Sequence, residues 1–317
     1  MKSFFKHKLI TVLVDILSSP ISLLAAVWLR PIARMIHHLP VNNKIFMKLG
    51  VLPVIDHYYQ PLINPRKYLK KSLREDRVLP GINLNVGEQL ALLHEFNFNQ
   101  ELELFPLDKK EELEYYYNNN SFKSGDGEYL YNMVRLKKPS MFIEIGSGLS
   151  TLIANSAIKK NNNNCKHICI EPYEVEWIRK LDVEVMRKKV EETDIEIFKS
   201  LQRNDILFID SSHIIRAQGD VLLEYLQILP QLNPGVIIHV HDIFTPKDYM
   251  DKFVFTYHYM WNEQYLLEAL LTNTDSFKII GAVNFLKHNY FDELAAKCPI
   301  LRQQPDREPG SFWMEKK

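Results

Sequence analysis

The sequence predicts an α/β protein built on a mostly parallel sheet with helices on both faces, and three observations carry that prediction. Short runs rich in Ile, Val and Phe recur through the second half of the chain: "MFIEIG", "KHICIEP", "NDILFID", "GVIIHVHD", "FKIIGAVNF" and a closing "GSFWMEKK". Segments with helical apolar spacing separate them, among them "YEVEWIRKL", "QGDVLLEYLQIL" and "WNEQYLLEALL". The first run, "FIEIGSGLST" at 142–151, ends in two glycines separated by a serine. Near-continuous apolar strands joined by helices are buried on both faces. A glycine turn between strand and helix leaves backbone N–H groups facing a crevice.

In chain order, "LITVLVDILSSPISLLAAVWL" at 9–29 comes first, with Lys2, Lys6 and Lys8 before it and Arg30 and Arg34 after. Its length suits a bilayer. Asp15, at a cost of roughly 2.5–3.5 kcal/mol near a helix centre, and Pro20 argue against a span. Residues 1–40 are therefore expected to form a helical hairpin broken at "SSP", lying on an anionic membrane surface or packed on a partner or on the protein's own core. No small-residue cleavage site marks a secretory signal. Residues 41–125 read as an extension that binds or covers the acceptor: loops over 51–86, then a short helix in "VGEQLALLHEF". The catalytic domain is expected over 126–317, with helices from about Asp126 and Ser150. A third strand is placed around Val183 to Met186, although "DVEVMRKKVEETDIEIF" also reads as helix throughout.

Lys+Arg and Asp+Glu both total 39, so no global field attracts nucleic acid. Cys165, Cys169 and Cys298 are an odd number and show no metal-knuckle spacing, which fits a reduced, cytoplasmic protein with buried thiols.

Ligands of parallel sheets sit beyond the carboxyl ends of the strands. That rule selects Glu144 to Ser150, Glu171, Asp210 to His213, and His239 to Asp242. Two cofactors compete for the crevice. A dinucleotide fingerprint needs a small third residue for close helix packing, where this chain has Thr151, and Glu144 would repel a pyrophosphate. S-Adenosylmethionine brings a sulfonium, an α-amino group and two ribose hydroxyls, which suit Glu144 and Glu171 better.

On these motifs, residues 126–317 resemble the class I S-adenosylmethionine-dependent methyltransferases. "FIEIGSGLST" looks like their first motif and "ICIEP" like the ribose-binding one, while "DILFIDSSH" with "LNPGVIIHVHDIF" resembles the small-molecule O-methyltransferase branch. The resemblance implies a Rossmann-like, seven-stranded methyltransferase fold. It also implies Glu144, Gly146, Ser147, Gly148 and Ser150 along the methionine part of the cofactor, Glu171 on the ribose, and Asp210 between cofactor and acceptor.

Transfer to oxygen needs an aligned hydroxyl and somewhere for its proton to go. His213 and His241 are the candidate bases, beside Asp210 and Asp242. In metal-dependent relatives the acids after the fourth and fifth strands hold a divalent ion, so Asp210 and Asp242 are also candidate ligands. Ile243 stands where catechol-type enzymes have an asparagine; His213 or His241 would have to replace it, and the metal-free base is preferred. Aromatic stretches, "FTPKDYMDKFVFTYHYMWNEQ" and "DHYYQP", suit a lid over a ring or sugar; "RKYLKKSLREDR" offers cations for a phosphate or an anionic membrane. The expected activity is methylation of a hydroxyl on a small-molecule or glycan-like acceptor. Its rivals are a catalytically inactive methyltransferase-like assembly module and, behind it, an NAD-dependent oxidoreductase.

Overall fold

The computed structural model describes residues 2–61, 63–173 and 175–317 and divides the chain into two compact units, one up to residue 70 and the other from 71 to 317. In the second unit, β1 Met141–Ile145, β2 Lys166–Ile170, β3 Glu184–Met186, β4 Ile206–Ile209, β5 Ile237–Val240, β6 Phe277–Ala282 and β7 Phe312–Lys316 form one sheet, ordered β3-β2-β1-β4-β5-β7-β6. Strands β1 to β5 are parallel, and β7 runs antiparallel to both β5 and β6. The chain starts at the centre of the sheet, winds out to β3 and returns to β4. The crevice therefore opens beyond the carboxyl ends of β1 and β4, where the winding reverses.

Side-chain alternation divides the core. Phe142, Phe208 and Ile237 face one apolar cluster, while Ile143, Ile145, Leu207 and Ile238 face the other. The expected boundary at 126 does not hold. Leu92, Phe96, Leu102, Tyr115, Tyr117 and Phe122 belong to the same cluster as Phe142, so residues before 126 complete one side of the sheet. Their polar tips are satisfied locally: Tyr115 Oη donates to the Phe122 carbonyl at 2.8 Å and Tyr117 Oη to that of Leu102 at 2.9 Å.

Two expected helices take other forms. Among the described residues of "YEVEWIRKL" there is a 3-10 turn, Glu176–Lys180, and no longer helix. "QGDVLLEYLQIL" starts as a helix at Asp220–Leu223 and widens to a π turn over Glu224–Ile228. Glu224 in that turn is buried and accepts a hydrogen bond from Ser211 Oγ at 3.1 Å, in keeping with the frequent placement of π turns at functional sites.

The first unit corrects the expected hairpin, because Lys2–Arg34 is one continuous helix with Pro20 and Pro31 inside it. Proline leaves the carbonyl four residues earlier without its N–H partner. Here Ser19 Oγ donates to the Ile16 carbonyl at 2.9 Å, and Ser18 Oγ to that of Asp15 at 3.2 Å. The "SSP" read as a break thus carries its own replacement hydrogen bond, from Ser19 to the carbonyl that Pro20 leaves open. A second helix, Pro40–Leu49, ends on Gly50 in the left-handed conformation at φ 69°.

Candidate active site

The site is built on the turn that ends β1. Gly146 has φ 83°, and a Cβ there would lie 2.0 Å from the Asp210 carbonyl oxygen, so only glycine lets β1 turn against the end of β4. Gly148 is extended, and a Cβ on it would meet nothing within 4 Å: it faces open space. Helix Leu149–Asn161 starts there, and its Thr151 Oγ1 accepts the Gly148 N–H at 3.1 Å. Threonine at that position caps the helix, satisfying an N–H that would otherwise be an orphan. Ser150 is buried in the same first turn, 3% exposed.

Glu171, just beyond β2, ties the turn together. Its Oε2 accepts the Ser147 N–H at 3.2 Å and its Oε1 the Tyr173 N–H at 2.7 Å. An ionised carboxylate offers about four acceptor positions, so capacity remains for two ribose hydroxyls. A cleft of about 270 Å³ lies along Gly146, Glu171, Pro172, Asp210 and Ser212. An open glycine turn and an acid with spare acceptor capacity beside a cleft fit the nucleoside part of S-adenosylmethionine.

Glu144 does not reach this cleft, which corrects its expected place along the cofactor. It is fully buried, with Oε2 2.8 Å from His167 Nε2 and accepting from Cys169 Sγ at 3.5 Å. Strand alternation places it with Phe142, and β2 presents His167 and Cys169 at matching register.

The rim beyond β4 and β5 brings together the four residues expected to handle the acceptor. His213 Nε2 lies 3.3 Å from Asp210 Oδ1 and 3.7 Å from Asp242 Oδ2; His241 Nδ1 lies 3.6 Å and 3.8 Å from the same two atoms. His213 and Asp242 both have left-handed backbones, at φ 59° and 54°, a conformation that non-glycine residues adopt infrequently and that often marks functional sites. Burial pulls both imidazoles toward neutrality. For His213 the hydrogen bonds to Asp210 and Glu263 outweigh it, and for His241 the charges of Asp242 and Asp210 do, so both pKa values stand well above the ordinary one. Burial likewise pushes Asp210 up, but the charge of His241 and the closeness of both imidazoles hold it below the usual carboxylate range. Burial dominates at Asp242, whose carboxyl is raised.

His239 separates from this group. It is fully buried and stacked on Phe208 at 4.1 Å, and burial together with the charge of His241 lowers its pKa well below that of an ordinary imidazole. Ile243 is buried in the apolar core and cannot act as a ligand. Ligand atoms of Asp210, His241 and Asp242 all lie within 4.8 Å of one another. Two carboxylates and an imidazole form a donor set suited to a divalent transition ion more than to magnesium.

A second cavity, of about 680 Å³, covers this rim. Phe253, Tyr257, Tyr259 and Trp261 line it, with Tyr259 and Trp261 stacked at 4.6 Å and Trp261 against His213 at 4.5 Å. The stretch after β5 thus occupies the position expected of a lid. "DHYYQP" lies in the first unit, with Tyr58 and Tyr59 75% and 78% exposed. Within the charge run, Arg74 pairs with Glu308 at 3.1 Å and Arg77 with Glu268, so these two cations serve internal ion pairs.

Sequence reading missed Glu263, which holds His213 Nδ1 at 2.8 Å, and Asp126, whose Oδ1 accepts from the Gly310 and Ser311 N–H groups at 2.9 and 2.8 Å. Asp126 Oδ2 lies 3.8 Å from His241 Nε2. An acid opening a helix after Ser-Gly was a signal for Asp126; Glu263 offered none beyond its place in the first turn of a helix.

Strand order, glycine turn and strand-end acid together define a methyltransferase-type α/β fold. Residues 143–243 match the family model of a methyltransferase domain. An uncharacterized protein of Archaeoglobus fulgidus is 30% identical over 163 residues, covering 47% of this chain and 74% of that protein. Among solved structures, the plantazolicin methyltransferase BpumL, in complex with a monoazolic desmethylPZN analog and SAH, is 17% identical over 60% of this chain and 82% of its own, at a TM-score of 0.39. An O-methyltransferase from Bacillus cereus in complex with SAH is 11% identical over 80% and 94%, at 0.37. The chain belongs to the methyltransferase-domain family that its residues 143–243 match, with the class I strand order, and its cleft fits S-adenosylmethionine as methyl donor.

Proposed function

We propose that this methyltransferase acts on a hydroxyl oxygen of a small-molecule or glycan-like acceptor held in the 680 Å³ cavity. One observation carries the reading: Asp210 and Ser212 line both the cofactor cleft and the cavity, so the methyl group and the acceptor meet beside the carboxylate–imidazole rim. Transfer breaks the sulfonium–methyl bond, forms an oxygen–carbon bond and releases the hydroxyl proton. Alignment supplies much of the acceleration, and His213 or His241 accepts the proton. Both rings are held above their ordinary pKa, so the one that accepts the proton does so in its neutral form, which rising pH favours. Label transfer from methyl-labelled S-adenosylmethionine to a panel of catechols, hydroxylated acids and sugars tests the reading. Transfer only to amines or thiols would overturn it.

The spacing of the rim favours a second account of the same step. Separations of 3.3–3.8 Å among Asp210, Asp242, His213 and His241 are long for strong hydrogen bonds. They suit neighbours around one ion with bonds of about 2.0–2.2 Å. Asp210, His241 and Asp242 would hold a divalent ion, which when bound polarises the acceptor oxygen. His213 would then orient Asp210. Turnover lost to a chelator and restored by zinc, manganese or magnesium supports this account; turnover indifferent to chelator leaves the imidazole base.

We also propose that helix Lys2–Arg34 seats the protein on an anionic bilayer. Its Ile10–Arg34 portion contains an 18-residue window of mean hydropathy 2.0 and is long and apolar enough to cross a membrane by length and composition.

A further inference from the structure

The acceptor cavity carries charges of both signs. Its lining holds Asp210, Asp242 and Asp126 with the two rim imidazoles, and also Lys123, Lys252 and Arg307. Among the described residues, none of these three cations has a carboxylate within ion-pair distance. Arg307 is fixed by neutral groups, with Nε donating to Gln304 Oε1 at 3.1 Å and Nη2 to Asn118 Oδ1 at 3.2 Å. Lys252 Nζ lies 4.9 Å from the centre of the Tyr257 ring. Three other cations are matched: Arg74 and Lys287 by Glu308, which also lines the cavity, and Lys247 by Asp76. Asp306 shares the lining without pairing.

We propose that the acceptor carries an oxyanion, a phosphate or carboxylate group, at the end away from the methylated hydroxyl, and that Lys123, Lys252 and Arg307 bind it. The inference rests on the cavity being the acceptor site. Covering three cations with a neutral molecule would strip water from them and return nothing; an oxyanion returns charge-assisted hydrogen bonds, with Arg307 suited to a planar or tetrahedral oxygen pair. The cations already oppose one another, since burial and then the charges of Arg307 and Lys252 pull the Lys123 ammonium below its ordinary pKa. Tyr257 and Tyr259 line the same cavity, and aromatic side chains of this kind suit a ring or sugar.

Two measurements on the full chain test this. Calorimetry with pyrophosphate, on protein saturated with S-adenosylhomocysteine, is compared between wild type, Lys123→Gln/Lys252→Gln and Arg307→Gln; at least tenfold weaker binding in both variants is expected. Turnover is compared on matched acceptors, dihydroxybenzoate against dihydroxybenzamide and glucose 6-phosphate against glucose, which separates carboxylate from phosphate. A preference of at least tenfold in kcat/KM for one anionic member, erased in the double variant, supports the inference. Equal turnover of charged and neutral members overturns it while leaving O-methylation standing. Pyrophosphate bound equally well by wild type and variants, or not at all, also overturns it. Lysine-dependent pyrophosphate binding without methylation of any hydroxyl supports the anion site and counts against the O-methylation reading instead.

Discussion

His213 Nδ1 lies 2.8 Å from Glu263 Oε2, a carboxylate 50 positions away in the chain, and this contact decides which ring nitrogen faces the cavity. Glu263 is fully buried and also accepts from Tyr225 Oη at 3.0 Å, so its orientation is fixed on two sides. With Nδ1 committed, Nε2 is turned to Asp210 and Asp242, where the acceptor's proton or an ion would be handled.

Replacing Glu263 by Gln is therefore expected to lower turnover by roughly 10–100-fold, the usual effect of losing a group that orients a functional histidine. Affinity for S-adenosylhomocysteine stays unchanged, because Glu263 is absent from the cofactor cleft. Removing a carboxylate also lets His213 shed its proton at lower pH, so the rising limb of the pH–rate profile moves toward acid. A folded variant with unchanged turnover and profile would show that the contact only holds structure.

The two glycines of the turn should fail differently. Gly146→Ala places a Cβ against the Asp210 carbonyl in a left-handed backbone, so the fold itself suffers and the melting temperature falls. Gly148→Val meets no protein atom within 4 Å and has an extended backbone, so the melting temperature of the apo protein is retained while cofactor affinity falls at least tenfold. A Gly148→Val protein that binds S-adenosylhomocysteine normally would place the cofactor elsewhere.

The sheet was legible because parallel strands must be apolar on both faces, and "MFIEI" or "IIHV" cannot be satisfied any other way. The rim was legible for a related reason: strand ends are where such folds place chemistry, and Asp210, His213, His241 and Asp242 all follow strands. Glu144 was misplaced because adjacency to the glycine turn outweighed strand alternation, although His167 and Cys169 at matching register on β2 pointed to an internal cluster. Residues 71–125 offered no such pattern; their aromatics are buried through loops whose partners lie far along the chain, as when Asn99 Nδ2 donates to the Ala296 carbonyl at 2.8 Å. Pro20 was read as a break because the rule concerns the missing N–H, and the serine hydroxyl that replaces it is visible only in three dimensions.

Glu171→Ala is expected to weaken S-adenosylhomocysteine binding by roughly 1.5–3 kcal/mol, the scale of lost charge-assisted hydrogen bonds. Part of that loss comes from the turn, since the Ser147 and Tyr173 N–H groups lose their acceptor too. Glu171→Gln separates the contributions: an amide oxygen keeps one acceptor for the turn while the charge toward the ribose is gone. Calorimetry should rank wild type above Gln and Gln above Ala, and equal affinities across the three would refute the ribose assignment.

The N-terminal helix should bind membranes through one face. Ile10, Leu13, Leu17, Ile21, Leu24 and Trp28 recur every three or four residues, each 50–74% exposed, while Thr11, Asp15, Ser18 and Ser22 form a polar stripe about a third of a turn round the helix from them. That division suits a helix lying in the interface, with Arg30 and Arg34 near anionic headgroups. Full-length protein is expected to float with vesicles rich in anionic lipid and less with neutral ones. Leu17→Asp/Leu24→Asp removes two exposed leucines whose burial in the bilayer is worth about 1.5–3 kcal/mol each, so partitioning should fall by at least about a hundredfold while cofactor binding is retained. A helix that spans the bilayer would instead resist high salt and alkaline extraction. Wild-type protein recovered in the soluble fraction to the same extent as the double variant would show that this face does not meet lipid.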